Sequence, residues 1–305
     1  MKQAKEVKRK IKSITSIRHI TRAMKMVAAA KFKKAQNRMS AISAYYKMIK
    51  EAIGDMSDYL LEHSHPYVAR SAAADAHHSG AAARQDRVRC FVVISGDKGL
   101  CGAFNMNVCK EAEIQIRKAK KENFETLLIT IGTKCYDYFH KRKHKIFHHS
   151  PLNKPDPKFE DIQSSINSVL EVFENGHALE VHVVYTHYMS TITYKVTTEK
   201  ILPIEFDKAH FLPNAIKNDF KFEPGPSEVI DYLLPRYVKM RVFASIVESS
   251  CSEQGSRMLT MSSATDKASE MISHLTLMLN RARQESITAE LLDIVGGVEA
   301  LKKSS

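Results

Sequence analysis

No stretch of the chain approaches the roughly 18 consecutive apolar residues that crossing a bilayer requires. The cationic opening from Met1 to Ile14 lacks the apolar core of a secretion signal, and no transit segment is evident. These absences predict a soluble or at most peripheral protein. Cysteine is scarce: Cys90, Cys101, Cys109, Cys135 and Cys251 form no C-x-x-C pair, and their odd number in a long chain fits reduced thiols in a cytosol-like compartment. Proline is missing from Lys5 to about Leu61, so nothing there forbids an uninterrupted helix.

What is present suffices for a folded protein of about two domains: 305 residues, 44% of them hydrophobic. Lys and Arg number 46 against 34 Asp and Glu, a formal net charge of +12, which points to an acidic partner: nucleic acid, anionic membrane or acidic protein surface. Charge alone does not choose among them.

Along the proline-free stretch, apolar residues recur at steps of three and four (Val7, Ile11, Ile14, Ile17, Ile20, Met24, Val27), which predicts one long helix over 1–61. From His63 to Arg84, a His-Pro pair, runs of Ala and Ser and Gly80 read as a linker, taken as 62–86. Over 87–206, strand patterns at Cys90–Ile94, Thr126–Ile131, Lys145–His148, Leu179–Thr186 and Tyr194–Glu205 alternate with helix patterns at Asn107–Lys121, Lys134–Lys141 and Asp161–Glu174. Such alternation predicts a parallel-rich sheet with helices on its faces.

A connector at 207–226 precedes a last helix over 227–305, opened by Pro226 in the first turn with Glu228 near the positive end of the helix dipole. Pro235 is expected to kink it early. Beyond, Met261, Ala264, Ala268, Met271, Leu275, Met278 and Ala282 alternate steps of three and four, the mark of a coiled-coil seam. Seventy-odd helical residues at 1.5 Å each would reach on the order of 100 Å. The two terminal helices, with an α/β domain inserted between them, are expected to pair antiparallel.

Three segments resemble the gamma subunit family of F-type ATP synthases. They are Ile11–Ile14 with Ile20–Ala29, the loop Ser95-Gly-Asp-Lys-Gly-Leu-Cys-Gly-Ala-Phe-Asn105, and Asn280–Gly297; Leu233–Tyr237 and Ala264–Asp266 add to the likeness, which spans the chain in order. Gly297 stands where the family usually has alanine, and Ser250–Gly255 is less alanine-rich than the family pattern. The resemblance implies an antiparallel coiled coil of N- and C-terminal helices with an inserted Rossmann-like α/β domain. It implies a rotary central stalk without an active site or cofactor of its own, coupling ion flow through a membrane ring to the conformational cycle of a catalytic hexamer.

The implied partners are the alpha and beta subunits, an epsilon-type stalk subunit and the membrane c-ring. The implied location is peripheral, at the cytoplasmic face of a bacterial inner membrane or, for a mature organellar protein, on the matrix side. By the same resemblance Met24, Lys25, Arg257, Arg283, Gln284, Thr288 and Glu290 are expected to contact the hexamer. Leu291, Ile294, Val295, Val298 and Leu301 would form an apolar bearing tip, since apolar contact is non-directional and can slide. Arg18, Arg22, Lys25, Lys31, Lys33 and Lys34 would form a cationic girdle facing acidic loops.

Rival readings find less support in the residues. A nucleic-acid arm would suit the basic first helix, but base-reading and stacking patterns are missing there. An enzyme reading would rest on Ser95–Gly102, whose glycines match neither G-x-G-x-x-G nor a Walker A spacing, and Cys101 has no evident histidine partner as a nucleophile. His63, His65, His77 and His78, and again His140, His144, His148 and His149, cluster in sequence without the Cys or carboxylates that a zinc site would add.

Overall fold

The computed structural model describes residues 2–56, 59–60, 65–68, 87–154, 157–205, 223 and 225–303. The expected linker and connector lie almost wholly outside these residues, as do His63, His77 and His78. The chain forms two compact units, Met1–Ala28 with Met258–Ser305 and Ala29–Arg257. The first helix, α1 (Lys2–Asp55), and the last, α5 (Pro226–Lys303), each contribute to both.

In the second unit five strands run β1 (Val88–Ile94), β2 (Glu125–Ile131), β3 (Ile146–Ser150), β4 (Glu180–Tyr188) and β5 (Tyr194–Leu202), in the spatial order β3-β2-β1-β4-β5. Strand β1 pairs parallel with β2 and β4, and β2 parallel with β3. Strand β5 is antiparallel to β4 and ends at Leu202, three residues short of the expectation. The short turn from Met189 to Thr193 leaves no room for the crossover that a parallel pairing needs.

Between strands stand α2 (Phe104–Lys121), α3 (Thr133–Lys141), a short 3-10 turn (Glu160–Ile162) and α4 (Gln163–Glu174). Alternation along β1 sorts the core into two layers. Cys90, Val92 and Ile94 face a layer that includes Ile166 and Val169 of α4, Ile53 of α1 and Val242 and Ile246 of α5. Phe91 and Val93 face Val108, Ala112 and Ile116 of α2 and Phe139 of α3. Burying each of the Val, Ile and Phe side chains among them stabilises the fold by about 1.5–3 kcal/mol. Helix α2 stops where Asn123 turns to φ 61°, with Lys118, Lys120 and Lys121 at the negative end of its dipole. Pro235 sits inside α5 without ending it, and the carbonyl of Asp231 thereby loses its usual helical donor.

In the first unit α1 and α5 run antiparallel: Thr265 Oγ1 donates to Thr21 Oγ1 at 2.9 Å and Lys25 Nζ to Ser262 Oγ at 2.9 Å, so later residues of one helix meet earlier residues of the other. The seam corrects the expected one. On α1 the covered positions are Val7, Ile11, Ile14, Arg18, Thr21, Met24 and Ala28, whereas Ile17 (49% exposed), Ile20 and Val27 face outward. On α5 they are Met261, Thr265, Ala268, Ile272, Leu275, Leu279 and Ala282. Met271 (53% exposed) and Met278 lie outside the seam, and Ala264, half-buried like its neighbour Thr265, borders it. Each helix carries two apolar stripes one residue apart, and the stripe that includes the mutually bonded threonines is the one that turns inward.

Candidate functional site

The loop after β1 is held from every side. Ser95 donates its N–H to Ile131 O at 2.8 Å, and its Oγ accepts the Cys135 N–H at 2.9 Å. Asp97 Oδ1 accepts Thr133 N–H and Oγ1–H at 2.8 and 2.9 Å, while Oδ2 accepts Asn153 N–H at 2.8 Å. Asn105 closes the loop, accepting Gly96 N–H at 2.8 Å and donating to Lys98 O at 3.2 Å. A loop so pinned holds Leu100 at φ 62°, a strained backbone for a residue with a side chain, and leaves that side chain exposed.

One turn of α5 docks on this loop. Ser256 Oγ donates to Cys101 O at 2.7 Å and lies 3.1 Å from Tyr194 Oη. Arg257 donates through Nε and Nη2 to Gly99 O at 3.3 and 3.2 Å and pairs with Glu253, one turn earlier. Both side chains of that pair are nearly covered, 11% exposed for Arg257 and 8% for Glu253. Burial holds the Glu253 carboxyl above its ordinary range, and the Arg257 charge opposes that only in part. Burial likewise raises the Cys101 thiol, with Glu253 adding to the effect, so this cysteine lacks the thiolate character of a nucleophile.

The expected contact residues fall into two groups. Met24 is half-buried and Lys25 exposed on α1; Arg283, Gln284, Thr288 and Glu290 are exposed on α5, all in the first unit. Arg257 belongs to the second unit and its guanidinium is engaged within the chain. At the tip Leu291, Ile294, Val295 and Val298 are exposed, joined by Leu292 and Ile287, which the sequence reading did not single out. The side chain of Leu301 lies outside the described residues. Of the basic girdle, Arg22, Lys25, Lys31, Lys33 and Lys34 are exposed and Arg18 is half-covered in the seam.

The fold stacks His149 as well as His140 on Tyr136, at 4.1 Å for His149, without assembling the second histidine cluster into a ligand set. His140 ends α3 and stacks on Tyr136 at 5.2 Å, His144 sits edge-on to Phe139, and His148 and His149 lie in β3. Among the described residues no group of three or more His, Cys, Asp or Glu side chains is placed to hold a metal ion, and no helix is long and apolar enough to cross a membrane.

A protein-family model described as ATP synthase matches residues 3–301. The ATP synthase gamma chain of Glaesserella parasuis serovar 5 (strain SH0165) is 34% identical over 99% of this chain and 100% of its own length. That of Alkaliphilus metalliredigens (strain QYMF) is 34% identical over 97% and 98%. Among solved structures, a chain from the central stalk and c-ring of the Tetrahymena thermophila mitochondrial ATP synthase shares the fold with a TM-score of 0.55, at 24% identity over 80% of this chain and 99% of that one. A chain of the Euglena gracilis mitochondrial ATP synthase in rotational state 3 does so with a TM-score of 0.63, at 17% identity over 98% and 94%. With the antiparallel terminal helices and the inserted mixed sheet, the end-to-end match shows that this chain belongs to the ATP synthase gamma chain family.

Proposed function

We propose that this chain is the rotary central stalk of an F-type ATP synthase, coupling ion flow through a membrane c-ring to the conformational cycle of the alpha/beta hexamer while the beta subunits carry out the chemistry. The observation that supports it most is the end-to-end likeness to gamma chains, in a protein whose first unit is an antiparallel helix pair with an exposed apolar end. A stalk acts by differential contact: it stabilises one conformation of each catalytic subunit over the others, and turning it changes which. Met24, Lys25, Arg283, Gln284, Thr288 and Glu290 are the proposed contacts with the hexamer, and Arg257 adds to them through the loop it holds. The apolar tip is the proposed bearing, an epsilon-type subunit the companion in the stalk, and the cytoplasmic face of a bacterial inner membrane the proposed location.

The test is co-expression with alpha and beta subunits of a bacterial relative. A stoichiometric complex whose cooperative ATPase requires this chain supports the reading; turnover indifferent to its presence overturns it. In the ion-pumping holoenzyme, Arg283→Glu is expected to lower the ions pumped per ATP, and an unchanged ratio would remove Arg283 from the contact set.

A further inference from the structure

His65 opens a tight turn that straps the end of the sheet to two helices. Its carbonyl accepts Val68 N–H at 3.0 Å and its ring Nδ1 accepts Tyr67 N–H at 3.0 Å, while Pro66 between them has no N–H to satisfy. Both donors of the turn thus end on one residue. Just past β5, Val68 bridges Ile204 in parallel and Tyr67 O accepts Ile204 N–H at 2.7 Å. The Tyr67 side chain is buried in the core layer, edge-on to Phe173, and its hydroxyl donates to Glu174 at the end of α4. On the other side the His65 ring meets α5, with Nε2 3.2 Å from Asp231 Oδ1.

An imidazole whose Nδ1 accepts a backbone N–H carries its single proton on Nε2, where Asp231 receives it. A second proton, at Nδ1, would face the Tyr67 N–H, so two donors would meet and that bond would be lost. We propose that His65 is an acid-released latch: its neutral ring holds the 65–68 strap on α5 and on the end of the sheet, and protonation of Nδ1 frees the strap. The latch needs no partner subunit. Asp231 pulls the other way, because a cationic ring would gain an ion pair. That carboxylate is 65% exposed and the ring only 15%, so water screens the attraction while the donor conflict sits under cover. Among the described residues, the other charged groups on the elements around the strap lie against other partners: Glu174 against Tyr67, Glu228 over Gly225, Arg236 on Tyr45 and Tyr232, and Lys200 on Glu205. Burial holds the ring's proton affinity below the ordinary 6.5, and Asp231 opposes that only in part. The latched ring therefore stays neutral where a released one protonates. Strap stability is complete above 6.5 and declines as pH falls through that value, until the latched ring itself protonates.

The experiment is amide hydrogen exchange of the full chain at pH 7.5 and pH 5.5, each normalised to the unfolded chain at the same pH. Tyr67, Val68 and Ile204 report the latch, and β1 is the control. Protection at the three amides is expected to fall by about tenfold on acidification, the ratio for a ring that titrates at 6.5 when free and stays neutral when latched, with β1 unchanged. Asparagine at the first position of such a turn offers an oxygen to the same N–H and does not titrate, so in His65→Asn the change should stay within about twofold. Asp231→Asn keeps an acceptor for Nε2 but removes the charge that favours the cationic ring, so there the fall should persist or deepen. Protection that holds or rises on acidification of the parent, an equal fall in β1 or in His65→Asn, or a fall that vanishes in Asp231→Asn overturns the proposal.

Discussion

Gly96 packs so closely against Glu253 that a Cβ on the glycine would stand 2.7 Å from the glutamate carboxyl. Glu253 cannot swing clear, because Arg257 holds it in a covered site. Gly96→Ala is therefore expected to cost about 1–3 kcal/mol. Gly132→Ala should cost more, since φ is 100° there and the new atom would meet the Ser95 carbonyl oxygen at 2.1 Å, backbone against backbone. Urea unfolding of the isolated chain checks the order of the two, and equal effects would contradict it.

Removing Arg257 leaves a covered carboxyl without its cation and takes both guanidinium bonds away from the Gly99 carbonyl. Arg257→Ala is expected to destabilise the isolated chain by about 3–5 kcal/mol, the range for breaking a buried pair from one side. If the residue served only to touch a partner, the free chain would melt unchanged.

Glu180 bonds Arg89 at 2.6 Å and His182 at 3.1 Å, with Lys200 at 3.5 Å. Burial pushes its carboxyl up, but His182, Lys200 and Arg89 together hold it below the ordinary 4.5. A carboxyl depressed in the folded state adds stability that is fully present above its unfolded value and fades as pH falls through the folded one. Glu180→Gln should therefore cost about 1.5–3 kcal/mol at pH 6 and progressively less below 4.5. A gap between variant and parent that stays constant down the acid range would refute this.

All five cysteines are buried and free. Burial raises the Cys135 thiol to about 12, and the Cys109 and Cys251 thiols likewise to about 12. At pH 8 only about one such thiol in ten thousand is ionised, so the folded chain should resist iodoacetamide and take up five labels after unfolding in urea. Rapid labelling of the native chain would show a thiol that opens to solvent.

Strands β1, β2 and β4 are readable because each carries a short apolar run bounded by polar residues, and β1 to β4 fall close to where the residues predict them. The seam was harder, because Ile17, Ile20 and Val27 keep the same spacing as the stripe beside them, and spacing cannot say which stripe turns inward. A threonine at position 21 weighs against burial until Thr265 stands opposite it, and that pairing spans most of the chain. The loop after β1 was legible as a segment but not as a joint. Asp97 answers Thr133 and Asn153, and Arg257 answers Gly99, through contacts that no local pattern announces. Leu100 at positive φ carried no signal, since leucine is not a residue of left-handed turns.

The order β3-β2-β1-β4-β5 makes the chain reverse its direction of travel between β1 and β4. In open sheets of this kind the crevice beyond the carboxyl ends of those strands is where small ligands lodge. Here Ser252 reaches the carbonyl of Thr186 at the end of β4, and Glu253, Ser256 and Arg257 lie on the loop leaving β1. The vestibule is already tenanted, and its tenant is the protein's own last helix. The sheet's switch point thus works as a socket for that helix, and any molecule entering the crevice would first have to pull the helix out of it.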